Sequence, residues 1–134
     1  MDWKEFDKWC AAFCAWREAR GESATLRDSL RGVIHVIANR AKLHSRSWAQ
    51  VVFQYLQFSS ITAPGDPQIK AGEVPLFPDP IFVICYETAD QVMSGLDPDP
   101  TNGATSYFNP AVVLPSWAAS MTKVASIGHH DFYK

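Results

Sequence analysis

The stretch "TLRDSLRGVIHVIANRAKL", residues 25–43, carries the cleanest periodicity in the chain. Leu26, Leu30, Val33, Ile34, Ile37 and Ala41 fall on one stripe at helical spacing. Thr25 followed by Asp28 has the form of a capping box at its start. A stripe this regular predicts the central buried helix, around which the other elements must pack.

Upstream, residues 2–20 read as a second helix. Asp2 suits the N-cap and Glu5 stands three later, again a capping-box pattern. Trp3, Phe6, Trp9 or Cys10, Phe13 and Trp16 recur at helical spacing and predict its apolar face. Gly21 is expected to end it in the left-handed conformation. Downstream, a shorter helix is predicted from Ser47, with Gln50 in the capping-box position. Asp79-Pro80 opens a fourth helix as N-cap and first helical residue, which stops at Gly95. Between them, residues 60–79 are rich in Pro and Gly and lack a period, which predicts a long ordered loop of the functional kind.

"LDPDPTNGA" is turn chemistry. "TSYF" and "KVASI" read as short strands, "HDFYK" pairs back across a turn at Gly128, and "PSWAASM" makes one or two helical turns. The expectation is one α+β domain over residues 1–134: about four main helices, then a small antiparallel sheet in the C-terminal third.

Composition narrows the function. Residues 1–59 carry net +3 and residues 60–134 carry −5, so neither half is basic enough for nucleic-acid binding by phosphate neutralisation. Cys10, Cys14 and Cys85 are odd in number and contain no CxxC pair, which argues against a disulfide framework or a standard zinc site. Cys10 and Cys14, one turn apart, are expected to fill a core face in a protein made in a reducing compartment. The start "MDWKEFDKWC" lacks a signal pattern, and no run approaches the ~20 apolar residues of a membrane span. These features predict synthesis in the cytoplasm, no membrane insertion, and delivery by another system if the target lies outside.

"WREARGES", Trp16–Ser23, holds two glutamates around the predicted helix end. One and two turns back from Glu18 lie Cys14, Ala15 and Ala11, a small uncharged strip that draws the carboxyl toward the core. Burial and the negative end of the helix dipole both favour the protonated acid, as a general acid requires. Glu22 precedes the next helix, where the dipole favours the ionised form. Spacing alone favours two solvated helix-end charges, the commoner condition of glutamate.

"EARGES", "VIHVIANRA", "QFS", "DPTNGATSYFNP", "PSWA" and "IGHHDFY", taken in order, resemble the SleB-type cell wall hydrolases, which include the spore-cortex-lytic enzymes. The likeness runs from about residue 11 to the C-terminus. It implies a lysozyme-like domain that cuts the peptidoglycan strand between N-acetylmuramic acid and N-acetylglucosamine, typically as a lytic transglycosylase. It implies that Glu18 is the catalytic acid and Glu22 a second catalytic or supporting carboxylate. It also suggests that Gln57, Phe58 and Ser59, then Tyr107, Phe108 and Asn109, and finally Trp117 contact substrate. Trp117 suits a sugar-stacking face or the core equally. Asn39 and Arg40 read as structural.

The lytic route needs one strong acid and no cofactor. A hydrolysing muramidase needs a second carboxylate across the cleft; Glu22, Glu73 and Asp131 are the candidates. The 60–79 loop looks longer than the minimal family version. With no wall-binding repeat or signal, a phage or prophage endolysin or an injected effector is expected, acting as a monomer on glycan strands.

Two other classes compete. A metal hydrolase would use His129, His130, Asp131 and His35, but adjacent histidines on a strand diverge and no HExxH occurs; no metal is expected. A non-catalytic cell-wall glycan-binding module explains the aromatics but not the placement of Glu18.

Overall fold

The computed structural model describes residues 2–54, 75 and 79–134. Helix α1 spans Trp3–Ala19. Asp2 caps it by accepting from the Lys4 N–H at 2.9 Å. The expected reciprocal contact from Glu5 does not form. The Glu5 carboxylate instead accepts from Lys8 Nζ at 2.6 Å and from the Tyr86 hydroxyl, and Lys8 also reaches Asp90 at 2.9 Å. Lys8 is a buried cation, and its need for carboxylate partners outweighs that of a solvated cap N–H.

The buried face of α1 also differs from the expected aromatic stripe. It consists of Cys10, Ala11, Ala12, Cys14, Ala15, Trp16 and Ala19, while Trp3 is 69% and Trp9 44% exposed. The reason is packing: α1 touches both α2 and α4, and small side chains let three helices approach closely. The larger rings are displaced to the flank, where Trp9 stacks on Phe13 and meets Phe82 edge-on. Cys10, Cys14 and Cys85 are buried free thiols, as expected of core residues.

Gly21 is not left-handed; among the described residues, the glycines with positive φ are Gly95, Gly103 and Gly128. Helix α1 ends instead on Arg20 in right-handed geometry, and the Glu22 N–H returns to the Ala19 carbonyl at 3.0 Å. This turn gives the chain a short, direct entry to α2.

Helix α2, Leu26–His44, is the central buried helix, with Leu30, Val33 and Ile34 fully enclosed. Its predicted capping box is absent. The Thr25 hydroxyl pairs with Ser29 Oγ at 2.9 Å, and Asp28 pairs with Arg31 at 2.9 Å. The capping box at the third helix does form. Ser47 N–H donates to Gln50 Oε1 at 2.9 Å, Gln50 N–H donates to Ser47 Oγ at 3.1 Å, and residues 48–54 are helical, here α3. Helix α4, Pro80–Met93, starts as predicted: Asp79 Oδ1 accepts from Ile81 and Phe82 N–H at 2.9 and 3.0 Å. Apart from Pro75 and Asp79, the predicted 60–79 loop lies outside the described residues.

The turn after α4 is strapped to α2. Arg31, His35 and Asn39 recur every four residues and so share one face. Arg31 Nε donates to both Asp97 oxygens at 2.9 Å, and His35 Nε2 lies 2.7 Å from Asp97 Oδ2. Asn39 Nδ2 donates to Asp99 Oδ2 and to the Ala104 carbonyl, both at 2.9 Å. Asp99 then folds its own turn by accepting from Thr101 and Gly103 N–H.

The strap delivers the chain to an antiparallel sheet of order β1-β3-β2: β1 Ser106–Phe108, β2 Lys123–Ile127 and β3 His130–Tyr133. A 3-10 turn, Ser116–Ser120, precedes β2. Tyr107 faces Phe132 in register, so Tyr107, His130 and Phe132 share the inner face. Phe108, Asp131 and Tyr133 share the outer one. The α+β arrangement of four helices and a small C-terminal sheet stands as predicted.

Candidate active site

Glu18 sits in the last turn of α1 with 6% of its surface exposed, above the buried Cys14, Ala15 and Ala11 that the sequence placed beneath it. Cys14 marks where two elements meet. Burial pushes its thiol well above the ordinary value, and the nearby Glu18 charge pushes it further; Arg17, the Tyr107 hydroxyl as hydrogen-bond partner, and Arg40 act in the opposite direction. Cys14 of α1 and Tyr107 of β1 share one buried core, directly beneath the turn that carries Glu18. A carboxyl buried to this degree is disfavoured in its charged form, a condition that suits a proton donor to a glycosidic oxygen.

Glu22 lies close in sequence but serves a different neighbourhood. It is 3% exposed and faces the β2–β3 turn. Its Oε1 accepts from the His129 N–H at 3.2 Å, its Oε2 lies 2.8 Å from His129 Nδ1, and His130 Nδ1 stands 3.7 Å from Oε1. The two histidines diverge as expected of adjacent strand-end residues: His129 is exposed and His130 buried. No group of three metal-binding side chains occurs among the described residues.

The remaining candidates separate. Tyr107 lies on the inner face of the sheet, in the buried core that also holds Cys14. Phe108 turns to the outer face, stacked on Tyr133 at 5.2 Å, with Trp117 edge-on to both rings. Asn109 shapes the following turn, accepting from Ala111 N–H at 2.9 Å through its side chain. Asp131, a candidate second carboxylate, faces outward to Ser126 Oγ at 2.7 Å and Lys123 Nζ at 3.3 Å. Gln57, Phe58, Ser59 and Glu73 lie outside the described residues. Sequence reasoning missed that Tyr107 shares a core with Cys14 and that His129 is the partner of Glu22; both depend on segments about a hundred residues apart, which no local pattern signals.

A family model described as Cell Wall Hydrolase matches residues 27–133. The chain belongs to that family. Among solved structures, it is similar to the catalytic domain of the germination-specific lytic transglycosylase SleB from Bacillus anthracis, with 26% identity and a TM-score of 0.67. That match covers 96% of this chain and 93% of the other. It is also similar to the catalytic domain of the Bacillus cereus SleB protein, with 27% identity, a TM-score of 0.68, and coverage of 96% and 89%. No curated protein matches at a significant level. The fold and the family expected from the sequence motifs are thus those observed, and the chain is a cell-wall hydrolase.

Proposed function

We propose that this hydrolase cleaves the glycan strand of peptidoglycan between N-acetylmuramic acid and N-acetylglucosamine as a lytic transglycosylase, with Glu18 as general acid and then base. The observation that carries the reading is the buried placement of Glu18, one turn after Cys14, in a fold shared with a lytic transglycosylase.

Glu18 donates its proton to the bridging oxygen as the bond to the muramic C1 breaks. Positive charge develops at that carbon, and the sugar's 2-acetamido oxygen can stabilise it. The Glu18 carboxylate then takes the proton of the sugar's own 6-hydroxyl, whose oxygen closes on C1 to give a 1,6-anhydro end. This route requires no second protein carboxylate. Of the candidate second carboxylates among the described residues, Glu22 pairs with His129, and Asp131 with Ser126 and Lys123. A water-activating base across the cleft would be needed for hydrolysis.

Digestion of purified peptidoglycan followed by mass spectrometry tests this. Anhydro-muramyl ends are expected. Reducing muramic ends would mean hydrolysis, and reducing glucosamine ends would overturn the bond assignment.

A further inference from the structure

The proposed chemistry leaves Glu22 unused, although it is among the most deeply buried carboxylates described. Its surroundings give it another task. Gly128, at φ +59°, forms the tip of the β2–β3 hairpin directly against it. A Cβ on Gly128 would come within 2.7 Å of Glu22 Oε2 and 2.6 Å of Thr25 Oγ1. The tip is therefore seated on the link between α1 and α2, with no room for a side chain. His129 completes the seat, since its backbone N–H and its ring Nδ1 both address the carboxylate. A carboxylate only accepts, so Nδ1 carries the proton.

From this seat β3 runs inward. The His130 ring meets the Tyr107 ring edge-on at 5.3 Å, and Phe132 lies 5.7 Å from it and pairs with it in register. Tyr107 in turn packs into the same buried core as Cys14, one turn before Glu18. The link between the helices is thus joined to the inner face of the sheet at the tip, and the inner face to the acid-bearing helix at Tyr107.

We propose that Glu22 is a positioning residue: it clamps the β2–β3 turn and so holds Tyr107 against the end of α1 that carries Glu18. It does not exchange protons with the glycan. This rests on the reading of Glu18 as the acid.

Glu22→Gln and Glu22→Ala separate a clamp from a catalytic carboxylate. Gln keeps an oxygen for the His129 N–H and offers an amide N–H to Nδ1 of the other His129 tautomer. For the clamp, Glu22→Gln retains kcat within about threefold of wild type. Glu22→Ala lowers kcat about 10–100-fold with little change in KM, as expected when a supporting contact is lost, and hydrogen exchange at residues 128–130 becomes faster. Equal loss in both variants with exchange unchanged would overturn the proposal, as would faster exchange in Glu22→Ala with kcat intact. His129→Ala removes half the clamp without touching Glu22 and serves if Glu22→Ala does not fold; a kcat between wild type and Glu18→Gln is expected, and a wild-type kcat with wild-type exchange would count against the clamp. Wild type is assayed on peptidoglycan alongside. An inactive wild type would sink the functional reading and the positioning role with it, while the exchange data would still judge the clamp.

Discussion

His35 Nε2 lies 2.7 Å from Asp97 Oδ2, and this contact, with Arg31 on the same carboxylate, ties the turn after α4 to the central helix. Burial alone would raise the Asp97 carboxyl, but hydrogen bonds from His35 and Arg31 outweigh it and hold the group below its usual range. Asp99 is held down in the same way against burial, by Asn39, Thr101 and Gly103. An aspartate in the unfolded chain protonates near pH ~3.9. The stabilisation from both groups is therefore complete above that value and is lost as pH falls through the lower folded values. Urea unfolding followed from pH 7 to pH 3 should show stability falling at the acid end. In Asp97→Asn the fall should be shallower, with a loss of about 1–3 kcal/mol at pH 7 for the weakened charged hydrogen bonds.

Glu18→Gln keeps the shape of the acid and removes its proton chemistry. Activity on peptidoglycan should drop at least about 100-fold, within the range for loss of a general acid. The melting temperature should stay near that of wild type, because the amide fits the same buried space. Turbidity clearance of cell walls and a thermal scan check the two halves. Clearance at wild-type rate would remove Glu18 from the mechanism.

Gly128→Ala and Gly95→Ala both place a side chain at positive φ, +59° and +74°. Only the first meets other atoms: nothing lies within 4 Å of a Cβ at position 95. Gly95→Ala should cost about 1 kcal/mol, the strain of left-handed backbone alone. Gly128→Ala adds a collision with Glu22 and Thr25 and should cost about 2–4 kcal/mol. Parallel thermal melts decide it.

Gly32 lies within α2, where Ala is intrinsically better by about 1 kcal/mol. Here the gain should be reversed. A Cβ at position 32 would stand 2.8 Å from Cζ of Phe132, a ring with no exposed surface and no room to withdraw. Gly32→Ala should destabilise by about 1–3 kcal/mol, as overpacking does, measurable by urea unfolding. Stabilisation would show that the sheet can shift away from α2.

Helix positions, the Asp79 cap, the Ser47–Gln50 box and the Gly128 turn were legible in the sequence because each depends on residues within one turn of one another. Even there, local rules failed where a distant group competed. Glu5 left its cap for the buried Lys8, and Asp28 left its own for Arg31. The buried face of α1 was misjudged because periodicity favours large apolar residues, whereas a helix wedged between two others buries its small ones. The candidate site divided along the same line. The small strip beneath Glu18 is local and was readable. That Tyr107 joins it while Phe108 and Trp117 turn away follows from strand register, which a three-residue strand does not announce.

By itself the sequence determined the elements, their order and the motifs that mark a cell-wall hydrolase, because hydrophobic period, caps and turn residues act over a few positions. Tertiary structure alone decided what Glu22 holds. Its partner His129 lies 107 residues away, and hydrogen bonds of 2.8 and 3.2 Å between such distant segments exist only once the sheet has closed over the helices.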